Sequence, residues 1–334
     1  MSKKLLISTV LLLTLPLSVY QSSSAQGVNV KLKCAISLVD KQEIGNFRCV
    51  KKFNSTEWQI SSGHTEFSNW SLQKENTLKY RLAIPENVCL TSSEDFDRCI
   101  SKQKGKFILL IGDSQIQSGV NILSFTGTKK PIIVSYLPGC PPLRFGSIKD
   151  ESIYGEKCLS GNNDRISDDL YKRISSVMIM TAGRYTPFDL DQYLKLLKEY
   201  KIKNTIFIGP YVRSETNFAD YILKFKTEEE IESNYEYSSV PKNKAYSENS
   251  NEINPMFDAS NPSSNTFNPN FFDNVSKKHK MIFINPLKDF CELKCPVFLS
   301  GWPALTDTHH WSLNLVAQIY YKNHNLINGW LAKA

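Results

Sequence analysis

Five short apolar runs constrain this chain more than any other feature. They are Phe107 to Ile111, Pro131 to Leu137, Val177 to Met180, Asn204 to Ile208 and Met281 to Ile284. Each is apolar at consecutive positions rather than alternate ones, so a strand built from it must be covered on both faces. Each run stops at turn-forming residues: Gly112-Asp113-Ser114, Pro138-Gly139-Cys140, Ala182-Gly183-Arg184, Gly209-Pro210 and Asn285-Pro286. Helical patterns lie between them. The clearest spans Leu190 to Tyr200, with Leu190, Tyr193, Leu194 and Leu197 on one face; another spans Ser312 to Tyr321. Strand–helix alternation with right-handed crossovers predicts an α/β fold, a doubly wound and mostly parallel sheet in a three-layer sandwich. Reactive groups in such sheets gather beyond the carboxyl ends of the strands, where these turn residues stand.

The ends of the chain read differently. Lys3 and Lys4 precede an apolar stretch from Leu5 to Val19, followed by Ser22, Ser23, Ser24 and Ala25. A basic start, an apolar core and small residues predict a secretory signal peptide, residues 1–25, cleaved after Ala25. The stretch is shorter than the ~20 residues that span a bilayer, and Pro16 interrupts it. The expected location is therefore periplasmic or extracellular. Residues 26–103 read as a small, mostly β, disulfide-pinned extension, and 104–334 as the α/β domain. Within that domain, residues 213–277 form a long insertion rich in Asn, Ser, Pro and Tyr. A lid over the site and an insert without catalytic consequence both fit it. The formal charge of +7 comes with no Lys/Arg block, so no nucleic-acid partner is expected.

Eight cysteines after an export signal argue for disulfides. Pairing of sequence neighbours joins Cys34 to Cys49, Cys89 to Cys99, Cys140 to Cys158 and Cys291 to Cys295. That pairing is a preference for short loops among about 105 connectivities. Zinc is the weaker reading, because there is no C-x-x-C and His309-His310 lies far from most of the thiols. No metal or dissociable cofactor is called for.

Two motifs carry chemistry. I-G-D-S at 111–114 places a serine where a buried strand turns into a helix, with helix-start N–H groups nearby to face an oxyanion. Asp-Ser is also an ordinary helix cap, so the motif alone decides little. D-T-H-H-W-S at 307–312 spaces Asp307 and His310 so that the carboxylate can hold one ring nitrogen while the other acts as a base. Alone it reads equally as an acidic helix start with two surface histidines. The two motifs stand after the first and last of the apolar runs, an order that chance capping does not explain.

These pieces, together with C-P-P at 140–142, A-G-R-Y at 182–185, F-I-G-P at 207–210 and I-N-P-L-K-D-F-C-E-L-K-C at 284–295, resemble the SGNH (GDSL-type) serine esterases and acyltransferases. The closer likeness is to SGNH domains associated with acyltransferase-3 membrane domains, which O-acylate bacterial surface carbohydrate. The resemblance spans 107–325 and implies Ser114 as nucleophile, His310 as base and Asp307 as its orienter, with His309 in reserve. It implies an oxyanion hole from the backbone N–H groups of Ser114 and Gly139. The family's Gly-x-Asn-Asp is replaced here by Gly183-Arg184-Tyr185, as in the acyltransferase-associated subgroup, and Gly161-Asn162-Asn163-Asp164 follows no apolar run. Arg184 fits either an oxyanion donor or an ion-pair partner. Trp302 and Trp311 flank the Asp-x-x-His and suit either sugar stacking or the core. The activity implied is transfer of a short acyl group to, or its hydrolysis from, hydroxyls of an envelope polysaccharide. A separate membrane acyltransferase-3 protein is the implied acyl donor. The rival expectation is a non-catalytic carbohydrate-binding or envelope-assembly protein on the same scaffold.

Overall fold

The computed structural model describes residues 47–52, 55–60, 84–137, 166–180, 187–209, 269–290, 298–299, 302–307 and 310–334. Its centre is a six-stranded sheet. The strands are β3 (Val88–Leu90), β4 (Phe107–Gly112), β5 (Ile132–Tyr136), β6 (Ile174–Met180), β7 (Asn204–Ile208) and β8 (Ile282–Ile284), in the order β3-β5-β4-β6-β7-β8. Every neighbouring pair is parallel. The five apolar runs are therefore five of the six strands, and the α/β expectation holds. All six residues of β4 are buried, as its continuous apolar run requires.

The sixth strand lies in the stretch read above as the extension. β3 pairs with β5, and Cys89 on β3 is bridged to Cys99 on helix α1 (Phe96–Lys102). This pair matches the nearest-neighbour expectation. Closing a loop of about ten residues constrains the unfolded chain by roughly 3 kcal/mol in the chain-entropy account. Upstream, β1 (Phe47–Lys52) and β2 (Ser55–Ile60) form an antiparallel hairpin. Cys49 is on β1; Cys34, Cys140, Cys158, Cys291 and Cys295, the signal segment and residues 213–268 of the expected insertion lie outside the described residues. Residues 269–277, read above as the end of that insertion, belong instead to a helix, Pro269–His279, whose Phe272 stacks on Phe207 of the sheet.

Helices cover both faces of the sheet. Among the described residues, the helices between β4 and β8 are α2 (Ile116–Thr126), α3 (Asp168–Tyr171), α4 (Pro187–Glu199) and α5 (Pro269–His279). Then follow α6 (Pro286–Phe290), the short pair β9 (Phe298–Leu299) and β10 (Trp302–Pro303), and α7 (Leu313–Ala332). α2 packs against α7, with Phe125 stacked on Tyr320 at 5.8 Å, and α4 packs against α5. Phe207 of β7 stacks on Phe272 of α5 at 4.9 Å. The chain leaves β4 toward one neighbour (β5) and then returns to the other (β6). The order thus reverses at β4, and the crevice at its carboxyl end is the position where doubly wound sheets hold their sites. None of the described helices is long and apolar enough to cross a membrane.

Candidate active site

The turn after β4 is built by close backbone approach. A Cβ on Gly112 would lie 1.7 Å from the carbonyl oxygen of Met180 on β6, so no side chain fits there. One helical turn into α2, a Cβ on Gly119 would meet the sulfurs of Met180 and Met178 at 2.9 and 3.1 Å. The two glycines seat both the strand end and the helix directly against β6. Between them, Asp113 is buried (2% exposed), and its Oδ1 accepts the Gln115 N–H at 2.9 Å. This Asx-turn, with the Ile116 N–H donating to the Asp113 carbonyl at 3.1 Å, starts α2. Asp113 therefore does the capping work that the Asp-Ser pair suggested, and the Ser114 hydroxyl takes another partner.

The other half of the site is a clasp before α7. Leu305 and Trp311 form an antiparallel bridge. The Thr306 N–H donates to the His310 carbonyl and the Ser312 N–H to the Ala304 carbonyl, both at 2.9 Å. Ser312 caps α7, its hydroxyl accepting the Leu315 N–H at 3.1 Å. Inside the clasp, Asp307 holds His310 with both oxygens. Oδ1 accepts the His310 backbone N–H at 2.8 Å, and Oδ2 lies 2.5 Å from Nδ1. The carboxylate can only accept, so Nδ1 carries the proton and Nε2 is left as an acceptor. Nε2 lies 2.8 Å from the Ser114 hydroxyl, across 196 residues of sequence. The His310 and Asp307 side chains are 22% and 34% exposed, so the relay is open on one side. Its parts are a hydroxyl, an imidazole oriented to accept that hydroxyl's proton, and a carboxylate beside the resulting cation.

Sequence reasoning named Ser114, Asp307 and His310, and the fold brings these three together. Trp311 is 2% exposed and packed in the core, where it cannot present its ring to a sugar. Of the two roles left open for it, sugar stacking or the core, Trp311 has the core; the side chain of Trp302, on β10, is not described. Gly139, Gly183, Arg184 and His309 lie outside the described residues. The cap that the Asp-Ser pair offered falls to Asp113, through the N–H of Gln115 two residues on, which leaves the Ser114 hydroxyl to His310. Among the described residues no group of three or more His, Cys, Asp or Glu is arranged to hold a metal.

Comparison with known proteins gives the chain a family. The family model "SGNH domain (fused to AT3 domains)" matches residues 88–320. The match begins at β3, inside the stretch read as the extension. Among solved structures, the periplasmic domain of a lipopolysaccharide acetyltransferase from Salmonella ser. Paratyphi A is similar. It is 19% identical, with a TM-score of 0.50 over 78% of this chain and 99% of that one. A search of curated proteins by sequence finds no match. A match across most of the chain, on a sheet whose switch point holds Ser114 beside His310, places this protein in the SGNH family, in its acyltransferase-3-associated branch.

Proposed function

We propose that this protein moves a short acyl group, acetyl in the first instance, through a covalent acyl-Ser114 intermediate. The acyl group passes to, or is removed from, hydroxyls of a bacterial envelope polysaccharide. The observation that carries the reading is the continuous relay from Ser114 Oγ through His310 to Asp307, at 2.8 and 2.5 Å. A carbohydrate-binding module has no use for a serine hydroxyl aligned on a histidine that a carboxylate orients. The name of the Salmonella domain supports the carbohydrate substrate class and a periplasmic setting.

As Ser114 Oγ attacks an ester carbonyl carbon, its proton passes to His310 Nε2. The imidazolium forms beside Asp307, which holds its orientation and stabilises its charge. The carbonyl oxygen becomes an oxyanion, for which the family pattern supplies the backbone N–H groups of Ser114 and Gly139. Collapse expels the donor's alcohol, which takes the proton from His310 and leaves acyl-Ser114. An acceptor hydroxyl then gives its proton to His310 and attacks the acyl carbon, regenerating Ser114 and forming the new ester. Water in the acceptor's place gives hydrolysis. None of these proton transfers needs a cofactor. A membrane acyltransferase-3 protein is the proposed acyl source where the reaction is transfer.

The test is turnover of p-nitrophenyl acetate by the wild-type protein and by Ser114→Ala. The proposal expects release of p-nitrophenol that Ser114→Ala lowers to background. Equal rates for the two proteins would leave the catalytic reading without support and favour the binding module.

A further inference from the structure

We propose that the amino-terminal edge of the sheet is a docking face for an anionic lipid surface. Because all six strands are parallel, their amino ends lie along one edge, and Ser114 stands past the opposite one. The two edges are separated by the length of β4, roughly 20 Å. Each segment that enters β4 to β8 along this edge is basic: S-K-Q-K-G-K at 101–106, T-K-K-P at 128–131, K-R at 172–173, K-E-Y-K-I-K at 198–203 and K-K-H-K at 277–280. With Lys333 at the end of α7 they contribute twelve exposed lysines. The acids among and beside them are Glu86, Asp168, Asp169, Glu199 and Asp191, the last paired with Lys278 at 2.6 Å. The whole chain has a formal excess of only +7, so this one edge accounts for its positive charge. A cleft of about 770 Å³ at the centre is lined by Lys106, Lys172, Lys201 and Lys333.

Three features favour a lipid surface over a discrete anion or a soluble polymer. The first is breadth: five adjacent strand ends at about 4.8 Å spacing extend across roughly 19 Å, far more than one phosphate needs. The second is residue type. The exposed cations are lysines, mobile point charges suited to a diffuse field. The one arginine in these segments, Arg173, is turned inward, donating to the Gln103 carbonyl at 3.2 Å and lying over the Phe107 ring at 4.7 Å. The third is apolar. The exposed large hydrophobic residues described are Ile84 and Leu326. Ile84 precedes β3 on this edge. Leu326 stands one turn before Trp330, which is bonded to Asn204 at the start of β7. Lysines beside isolated apolar side chains are the chemistry of an interfacial contact. Docked so, the protein would hold Ser114 on its far side, facing away from the bilayer.

The experiment is sedimentation of the full chain with vesicles of phosphatidylcholine alone or with 30% phosphatidylglycerol. Neutral vesicles set the baseline for any contribution of the apolar N-terminal segment. The expected result is at least tenfold stronger partition onto the anionic vesicles, falling with added salt as the Debye length shrinks. The combined variant Lys104→Gln, Lys203→Gln, Lys277→Gln should weaken it about 100-fold, at about fivefold per lysine. Lys288→Gln, beyond the carboxyl end of β8, should change it less than twofold. Ile84→Ser with Leu326→Ser should weaken vesicle binding and leave capture by soluble dextran sulfate unchanged. An unaltered melting temperature confirms that the variants are folded. Equal partition onto neutral and anionic vesicles overturns the proposal, as does a triple variant that binds like wild type. Lysine-dependent capture by dextran sulfate with vesicle binding at baseline overturns it in favour of an anionic polymer.

Discussion

Replacing Asp307 by Asn tests the relay at its least obvious member. Asp307 accepts twice from one residue, through Oδ1 from the His310 backbone N–H and through Oδ2 from Nδ1. An amide has one acceptor and one donor end. If its oxygen keeps the backbone N–H, its NH2 faces Nδ1. That selects the tautomer with the proton on Nε2, the atom 2.8 Å from Ser114 that has to accept a proton. If the amide flips, its oxygen keeps Nδ1, and NH2 then faces the backbone N–H. Either orientation breaks one of the two contacts. Losing a hydrogen bond to a charged group costs about 1.5–3 kcal/mol, and the opposed donors add about 1–3 kcal/mol. Together these give roughly 3–6 kcal/mol, or about 10²- to 10⁴-fold in rate.

Asp307 is 34% exposed, so in the resting state water can serve the mismatched groups and stability should fall by only about 1 kcal/mol; the larger loss falls on the transition state, where His310 has to stay in register. The assay is kcat/KM on p-nitrophenyl acetate for wild type, Asp307→Asn and Asp307→Ala, with thermal unfolding of each. The expected pattern is a large rate loss with a nearly unchanged melting temperature. A folded Asp307→Asn within threefold of wild type would refute the claim that Asp307 orients the base.

Other expectations concern the scaffold. Gly112→Ala sets a methyl against the Met180 carbonyl, and because backbone must move, the loss should exceed the ~1–3 kcal/mol usual for overpacking, read from the urea midpoint. Cys89→Ser with Cys99→Ser should cost about 3 kcal/mol under oxidising conditions and nothing in strong reductant. Asp191 on α4 tests acid sensitivity. Burial works against its ionisation, but hydrogen bonds from Lys278, His279 and Lys195 outweigh that and hold it well below the usual carboxylate range. A depressed folded pKa stabilises the fold above the unfolded value and is lost as pH falls through the folded one. Asp191→Asn should therefore lower stability by about 1.5–3 kcal/mol at neutral pH. The gap to wild type should close progressively below pH ~4, and a gap that widens in acid would contradict the sign.

How much of this was legible in the sequence depended on whether the cause was local. The five apolar runs declared themselves because strands buried on both faces admit few polar residues. β6 starts at Ile174, three residues before the run that marked it, because Ser175 and Ser176 are satisfied by other strands. Ser175 donates to the Phe107 carbonyl at 3.0 Å, and Ser176 accepts from Asn204 at 2.6 Å. Neither bond is visible along the chain. β3 is three residues long, and its place rests on its pairing with β5 and the bridge to α1, both non-local. The relay was readable because its Asp and His lie three apart, and a serine after a buried strand supplied the rest. Gly112 was visible but its reason was not, since the clash is with a carbonyl 68 residues away. The modest charge looked uninformative because lysines arriving in twos and threes before each strand form no run. A parallel sheet gathers them on one edge.

The central claim is that Ser114 carries the acyl group between donor and acceptor. The direct measurement is intact-protein and peptide mass spectrometry after a brief acid quench of the protein with p-nitrophenyl acetate, with and without an added oligosaccharide acceptor. The account predicts an acetyl adduct of about 42 Da on the peptide containing Ser114. The adduct should be absent in Ser114→Ala and should decay faster when the acceptor is present, with the acetyl group appearing on the sugar. Acetylation confined to other residues, or an adduct that persists equally in Ser114→Ala, would contradict it.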